Sequence, residues 1–387
     1  MHMTHLYRNR TDLPAVAPGA AQKAEAVAAP CQAFTTESLP QRDRLEAWNA
    51  QFRGLNAVRV ADPAASSLAC RNENWLLGGL LFSRNTVCPS RFERTAQHVR
   101  ASSIDHWVIR VLRHGENRVT HSDRSDVLAP GQPFLFSLDR DWTSDWSEAE
   151  WLSLCLPRDA FPELSAGLAA LGTGPLRGPG APLLADYLIM LERHLRATTA
   201  EQRPLLAEAT RAMIAACLLR DVAPGRVGDA DIGVAQLERV RALVRRHIAS
   251  PTLNAQRLAR MAGMSRSSLY RLMQPHGGVA HYIQTLRLNL AHALLADPEL
   301  SALPVATLAE RAGFFDASAF SRAFRTGFGY TPSEARASAL AGRGMATVPA
   351  SAETTRREDF GALLRRIGSQ APGPGPGPGP FGVTRAH

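Results

Sequence analysis

The 387-residue sequence predicts an α+β chain. Its N-terminal part reads as a β-barrel or sandwich with flanking helices, and its C-terminal part as an all-α domain of two helix-turn-helix units joined by a long helix. Three observations carry this. The stretch 253–336 states one residue pattern twice, and a repeat of that length marks a repeated supersecondary unit. Short apolar runs separated by Gly, Pro, Asn and Asp recur between about 57 and 157, the signature of several short strands. The formal charge of +9 is also unevenly placed. Residues 236–340 hold thirteen Arg against six acidic residues, for +7; residues 341–387 add +3; residues 1–235 sum to −1. Positive potential therefore belongs to the repeat and to the C-terminal segment beyond it, as a phosphate-binding module requires.

In chain order, residues 1–32 are rich in Ala and Pro with few large apolar residues, and are expected to be a disordered leader. Order begins near Phe34. Leu39, Leu45, Trp48, Phe52 and Leu55 recur at near-helical intervals. The strand candidates are AVRV (57–60), WLLGGLLFS (75–83), HWVIRVLR (106–113), PFLFSL (133–138) and EWLSLCLP (150–157), with LAPGQPFLF as a β-turn between two strands. Residues 160–220 return to helix in two apolar-striped segments, an antiparallel hairpin that either closes the N-terminal core or offers a dimerisation surface. Residues 221–235 read as a Gly/Asp-rich linker. A helix through Leu237, Val240, Leu243, Val244 and Ile248 then enters the repeat, which is assigned 236–340. The segment 341–387 is expected to be a disordered tail: TTRREDFGALLRRIGS is its one helix-capable stretch, Arg356, Arg357, Arg365 and Arg366 read as solvated, and alternating Pro and Gly bar a helix beyond it.

Within the repeat, Leu258-Ala259, Ala262-Gly263, Leu269, Arg271, Met273 and Gly278 answer to Leu308-Ala309, Ala312-Gly313, Phe320, Arg322, Phe324 and Gly329. Each copy reads as helix, tight turn, helix. Gly263 suits a left-handed helix end, and Ser265 and Asp316 suit the caps of the second helix in each unit. The small alanines near each turn allow the close, steep crossing of a helix-turn-helix. The outer face of the first second-helix carries Arg266, Ser267, Ser268, Tyr270 and Arg271; that of the other carries Ala317, Ser318, Ala319, Arg322 and Arg325. Arginine's planar fork donates two hydrogen bonds to guanine or clamps a phosphate, and Ser and Ala let a helix sit deep in a groove. Residues 281–296 form one periodic helix that would hold two such helices at a spacing suited to successive major-groove faces.

The segment resembles the DNA-binding domain of the AraC/XylS family of bacterial transcription regulators. The resemblance rests on Ala312-Gly313-Phe314, Asp316, Ser318, Phe320, Ser321-Arg322, Phe324-Arg325, Gly329, Thr331-Pro332 and Arg336. The first unit keeps the pattern with Met273 where the family has Phe and a shorter turn before Tyr282. More weakly, FTTESLPQRDRLEAWNAQF, Arg94-Thr95 and the LAPGQPFLF turn resemble the cupin-like, AraC-binding-like sensor domain of one branch of that family. The resemblance implies a sensor and dimerisation domain over 33–220. It also implies double-stranded promoter DNA, a small-molecule effector and RNA polymerase as partners, a homodimer, and transcriptional activation in the cytoplasm.

For the effector, Trp75, Trp107, Trp142, Trp146 and Trp151 are candidates to line a barrel mouth, with Arg94 or Arg110 meeting an acid group; Trp75, Arg94, Trp107 and Arg110 are taken as the set. The competing reading, that aromatic residues on strands are core, carries more weight. His98, His106, His114 and His121 lack the HxH spacing of a cupin metal site, so no metal, cofactor or catalytic residue is expected, and a fused metalloenzyme is the lesser alternative. A regulator with no small-molecule effector is the other. The five cysteines show no CxxC and read as reduced thiols. No apolar run reaches membrane-spanning length.

Overall fold

The computed structural model describes residues 31–60, 68–102, 104–121, 124–158, 162–199, 201–218, 229–340 and 359–369. The chain opens with β1 (Cys31–Thr35), α1 (Gln41–Gln51), β2 (Ala57–Val60), β3 (Arg71–Leu77), β4 (Leu80–Val87), β5 (Ser90–Arg94) and α2 (Ala96–Ala101). It continues through β6 (Trp107–His114), β7 (Asn117–His121), β8 (Arg124–Leu128), β9 (Pro133–Ser137), β10 (Trp142–Trp146) and β11 (Ala149–Leu156). Two antiparallel sheets result. One has the order β1-β3-β4-β11-β6-β9, extended at its edge by a two-residue strand β12 (Gly174–Pro175); the other has the order β2-β5-β10-β7-β8. They face each other as an open sandwich.

The larger sheet is buried on both faces, which explains its sequence. On one face Leu81, Val108, Leu112, Phe134, Phe136, Trp151 and Cys155 meet Phe92, Val119, Trp142 and Trp146 of the smaller sheet, with Trp48 of α1 and Phe52 at its C-cap closing one side. On the other face Trp75, Phe82, Trp107, Ile109, Leu135 and Leu154 pack beneath α3 (Pro162–Leu171), α4 (Gly180–Leu195) and α5 (Gln202–Leu218). A strand covered on both sides has no polar alternation, so β6, β9 and β11 read as continuous apolar runs. The strands of the smaller sheet are half-solvated: β5 (SRFER) and β10 (WTSDW) alternate buried with less buried positions. The run WLLGGLLFS is two strands. Gly78 and Gly79, at φ +46° and +90°, form the two-residue turn between β3 and β4, a conformation that suits glycine at both places.

The C-terminal part is helical: α6 (Asp229–Arg246), α7 (Ala255–Ala262), α8 (Arg266–Met273), α9 (Val279–Ala296), α10 (Val305–Arg311), α11 (Ala317–Phe328) and α12 (Pro332–Leu340). Helix α9 serves two cores. Val279, Tyr282 and Ile283 pack with α6, α7 and α8, while Leu288, Ala291 and Leu295 pack with α10, α11 and Ala335 of α12.

Three segment assignments change. The leader read as 1–32 already contains the start of β1, and its first thirty residues lie outside the described residues. The linker read as 221–235 gives way to α6 from Asp229, while 221–228 lie outside the described residues. The tail read as disordered over 341–387 contains α13 (Phe360–Ser369). Phe360, Leu363, Leu364 and Ile367 of α13 are buried in the sandwich core, Phe360 lies 5.7 Å from Phe52, and Asp359 caps the helix by accepting from the Ala362 amide at 2.6 Å. Arg365, read as solvated, is drawn in with it and sits 3.6 Å from Asp359. An apolar stripe of only ten residues in a Pro/Gly-rich context is too short to identify alone; its partner surface is over 250 residues away in sequence. Arg356, Arg357 and the Pro-Gly run lie outside the described residues.

Candidate nucleic-acid interface

Each helix-turn-helix is built by local rules. The Asn254 side chain caps α7 by accepting from the Arg257 amide at 2.9 Å, and α7 ends on Gly263 in the left-handed conformation. Ser265 caps α8, accepting from the Ser268 amide at 3.1 Å. In the second unit α10 runs into Gly313, at φ +90°, and Asp316 caps α11 by accepting from the Ala319 amide at 2.9 Å. Gly313 is required twice over: its left-handed φ suits glycine, and a Cβ there would lie 2.6 Å from the Ile248 carbonyl oxygen and from Arg287 Nε. That close approach lets Arg287 of α9 donate to the Ile248 and Ser250 carbonyls at 2.9 and 2.8 Å, tying α9 to the end of α6. The first unit leaves α8 through a 3-10 turn, Gln274–His276, and two left-handed glycines, Gly277 and Gly278, where the second has Gly329.

The proposed groove residues fall as one face on each second helix. Arg266, Ser267, Tyr270 and Arg271 on α8 are exposed and Ser268 is half-buried, opposite the buried Leu269 and Met273. Ala317, Ser318, Arg322 and Arg325 on α11 are exposed and Ala319 half-buried, opposite Phe320 and Phe324. Arg266 stacks over the Tyr270 ring at 5.9 Å, a contact that restricts a long cation to the outer face. Phe315, in the turn before α11, is 59% exposed, although an apolar residue in a turn reads as core in the sequence.

The basic excess of 236–340 is only partly available to this face. Arg241, at 1% exposure, pairs with Asp139 at 2.7 Å and Glu238 at 2.9 Å and donates to His276 Nε2 at 3.1 Å. Arg158 pairs with Glu238 at 2.5 Å, lies 3.4 Å from Asp139, and stacks 4.0 Å over the Trp107 ring. Arg245 pairs with Asp105. Three carboxylates and three guanidiniums thus join the sandwich to α6 and the first helix-turn-helix. Burial alone would raise the Asp139 carboxyl, but the Arg241 and Arg158 guanidiniums hold it far below the usual carboxylate range. Burial, reinforced by the Arg241 cation, pushes the His276 imidazole down to about 4, so it accepts the Arg241 hydrogen bond as a neutral ring. A cavity of about 20 Å³ lined by Asp105, Asp139, Arg241, His276 and Tyr282 lies at this junction, room for about one water. One signal of this cluster was readable: Arg241 falls on the apolar stripe of Leu237, Val240 and Val244, where a cation needs a buried partner.

The four residues taken for an effector pocket are not brought together. Trp75 and Trp107 point to the helix-covered face of the larger sheet, away from the space between the sheets. Arg94 is caged by main-chain oxygens, donating to Leu138 at 2.9 Å, to Ile104 at 3.1 Å and to Leu55. Arg110 points between the sheets from the larger sheet. Its guanidinium lies 4.6 Å from the Phe136 ring, 4.8 Å from Trp146 and 5.4 Å from Trp151, and it donates to Asn117 at 3.3 Å. Burial lowers it to about 9. The period-two alternation that separates Trp107 from Arg110 was available in the sequence, but not which face the helices cover. Among the described residues no group of three or more His, Cys, Asp or Glu is placed to hold a metal ion, and no helix is long and apolar enough to cross a membrane.

Comparison with known proteins bears on the C-terminal part. Residues 258–338 match a family described as a helix-turn-helix domain. The chain is similar to the XylDLEGF operon transcriptional activator 3 of Pseudomonas putida, 33% identical over 104 residues, which are 26% of this chain and 31% of that protein. It is similar to the Msm operon regulatory protein of Streptococcus mutans serotype c, 33% identical over 87 residues, or 22% of this chain and 30% of the relative. The chain therefore spans about a third of the length of these curated relatives. Among solved structures, the AraC-like transcriptional activator CuxR is 26% identical, with 68% of this chain and 96% of that chain covered and a TM-score of 0.49. Two helix-turn-helix units on one shared helix, the repeated residue pattern and the family match agree: residues 258–338 of this chain are a helix-turn-helix domain, similar to part of these operon regulators.

Proposed function

We propose that the chain is a sequence-specific DNA-binding transcription regulator, an activator that works with RNA polymerase as a homodimer. The single observation that supports this best is the pair of capped second helices, α8 and α11, each presenting short polar residues and an exposed arginine at the equivalent place, Arg271 and Arg322, on one shared scaffold helix. Arg271 and Arg322 read bases. Arg266, Ser267, Ser268 and Tyr270 accompany the first, and Ala317, Ser318 and Ala319 the second. Arg325, nearer its helix end, contacts phosphate. The test is a titration of the purified chain against its own upstream DNA, selected by cleavage protection and read by fluorescence anisotropy. Arg271→Ala and Arg322→Ala are each expected to cost about 1–3 kcal/mol and to relax discrimination at one base, whereas Arg325→Ala weakens all sequences alike and reduces the salt slope by about one. Unchanged binding in both Arg271→Ala and Arg322→Ala would show that other side chains enter the groove.

The N-terminal domain is the sensor of a small acidic effector, and Arg110 is its contact. The buried Arg110 guanidinium faces the inter-sheet space with aromatic rings and an amide around it, and its Nε has no hydrogen-bond partner among the described residues. A carboxylate would supply the missing countercharge. Thermal unfolding of the full chain against small aromatic and aliphatic acids tests this, because a ligand at a hundred times its Kd adds about 2.7 kcal/mol to the folded state. A silent screen would favour control by abundance or by a protein partner.

A further inference from the structure

Four thiols are described, and they are not alike. Cys155 and Cys217 stand apart in apolar surroundings, where burial raises the first to about 12 and lifts the second as well. Cys70 and Cys88 instead face each other with sulfurs 3.7 Å apart. We propose that Cys70 and Cys88 are a redox pair, oxidised by hydroperoxides to a reversible disulfide that fastens the start of β3 to the turn between β4 and β5.

The placement carries the proposal. The β3–β4 ladder ends at the pair Arg71 and Thr86, so Cys70 lies one residue and Cys88 two residues beyond it. Closing the sulfurs from 3.7 Å to a bond of about 2.05 Å therefore breaks no hydrogen bond of that ladder. Both residues are anchored where they need to be. Cys70 donates its amide to Thr36 Oγ1 at 2.9 Å and accepts from the Thr36 amide at 3.0 Å, while the Cys88 carbonyl accepts from Ser90 Oγ at 2.8 Å. The pair is also asymmetric. Cys88 is 8% exposed and Cys70 1%, so a small oxidant meets Cys88 first. The hydrogen bond from Cys70 lowers the Cys88 thiol, and the same contact raises Cys70. An acid-shifted thiol that is the less deeply buried of two facing sulfurs is the arrangement of an attacking and a resolving cysteine.

The chemistry balances. The Cys88 thiolate attacks one oxygen of the hydroperoxide and the O–O bond breaks. The departing oxide takes up the proton released by Cys88, leaving Cys88 as sulfenic acid. Cys70 then attacks the Cys88 sulfur, the S–O bond breaks, and hydroxide leaves with the Cys70 proton as water. With hydrogen peroxide, two thiols and one peroxide give one disulfide and two waters, and two electrons pass from sulfur to oxygen. A dithiol reductant reverses it.

The test uses the reduced full-length chain and hydrogen peroxide in small molar excess, followed by denaturation, alkylation, trypsin digestion and mass spectrometry. Cys70 falls in the tryptic peptide 60–71 and Cys88 in 85–91. The expected product is these two peptides linked, about 2 Da lighter than their sum and separated again by dithiothreitol, with Cys155 and Cys217 still alkylated. In Cys70→Ser, a sulfenic-acid probe should label Cys88; in Cys88→Ser it should leave Cys70 unlabelled. Recovery of both peptides alkylated after oxidation, or a link that joins other cysteines, would overturn the proposal, as would over-oxidation of Cys70 and Cys88 separately. The wild-type digest decides this even if a serine variant fails to fold. It is independent of DNA binding.

Discussion

Removing Arg241 should loosen the first helix-turn-helix from the sandwich before it unfolds either. Its guanidinium is buried and satisfies Asp139 and Glu238 together, so Arg241→Ala leaves the buried Asp139 and the half-buried Glu238 with less countercharge. Breaking a buried ion pair in this way costs about 3–5 kcal/mol. Arg158 stays within 3.4 Å of Asp139 and 2.5 Å of Glu238, which places the expected loss near the lower figure, about 3 kcal/mol. Asp139→Ala should cost a similar amount, and the double variant should fall short of the sum by about 2 kcal/mol, since the two residues are direct partners. All six tryptophans lie between residues 48 and 151, so tryptophan fluorescence in a urea titration reads the sandwich alone. Hydrogen exchange of peptides from α6 to α9 reads the other side of the junction. Faster exchange is expected in α6 and the 3-10 turn at His276, with the strands β6 and β11 less affected. The coupling should also survive about 0.5 M salt, because buried pairs are weakly screened. Additive single variants, or exchange in α6 that does not change, would refute it.

Three further outcomes rest on the same contacts. Leu364→Ala in α13, at a position with no solvent exposure, should lower sandwich stability by about 2–5 kcal/mol, read as a lower tryptophan unfolding midpoint; a change confined to the helical domain would show that α13 does not complete this core. Gly313→Ala should destabilise the second unit by more than about 1 kcal/mol, since it adds both a left-handed alanine and a clash with the Ile248 carbonyl, measured by thermal unfolding of the helical signal. Acid should weaken the junction. The folded His276 imidazole titrates near 4 against about 6.5 unfolded, so the unfolded state binds more protons across that interval. Stability therefore rises with pH between about 4 and 6.5 and is lost as pH falls through it. His276→Gln should flatten part of that slope, with His98, His106 and His292, all also lowered by burial, contributing to the rest.

How much of this was legible depended on whether a residue's partner was near it in sequence. The caps Ser265 and Asp316 and the left-handed Gly263 obey rules that span three or four residues, and the structure places them as the spacing predicts. The strands β6, β9 and β11 were legible because helices cover their second face and leave unbroken apolar runs. Strands β5, β7 and β10, half-exposed and rich in Arg, Ser, Thr and Asp, carry no comparable signal. What could not be read is long-range. Trp107 and Arg110 lie three residues apart yet face different layers, and only the position of α3, α4 and α5 decides which face is the interior. Helix α13 is ten residues whose partner surface is α1 and the sandwich, so its stripe has meaning only after the fold is known.

Those long-range contacts also constrain how the two parts can influence one another. The first unit is held to the sandwich through α6, through the turn at His276, and through His281, whose Nε2 lies 2.7 Å from the Arg100 carbonyl oxygen at the end of α2. The shared helix α9 is held from the other side by α13, which packs on it while filling the sandwich core. A ligand shifts a conformational equilibrium only by binding one arrangement more tightly than the other. A molecule bound at Arg110 touches neither junction directly. Its effect would have to pass through the strands that bear them: Phe136 on β9, which stacks against Arg110, is followed at once by Ser137, which Arg158 holds at 2.6 Å, and then by Asp139. Displacement of Phe136 is therefore a short covalent route from the Arg110 guanidinium to the ion cluster. Phe136→Ala should then uncouple ligand binding from hydrogen exchange in α6 while leaving the Arg241–Asp139 coupling energy in place.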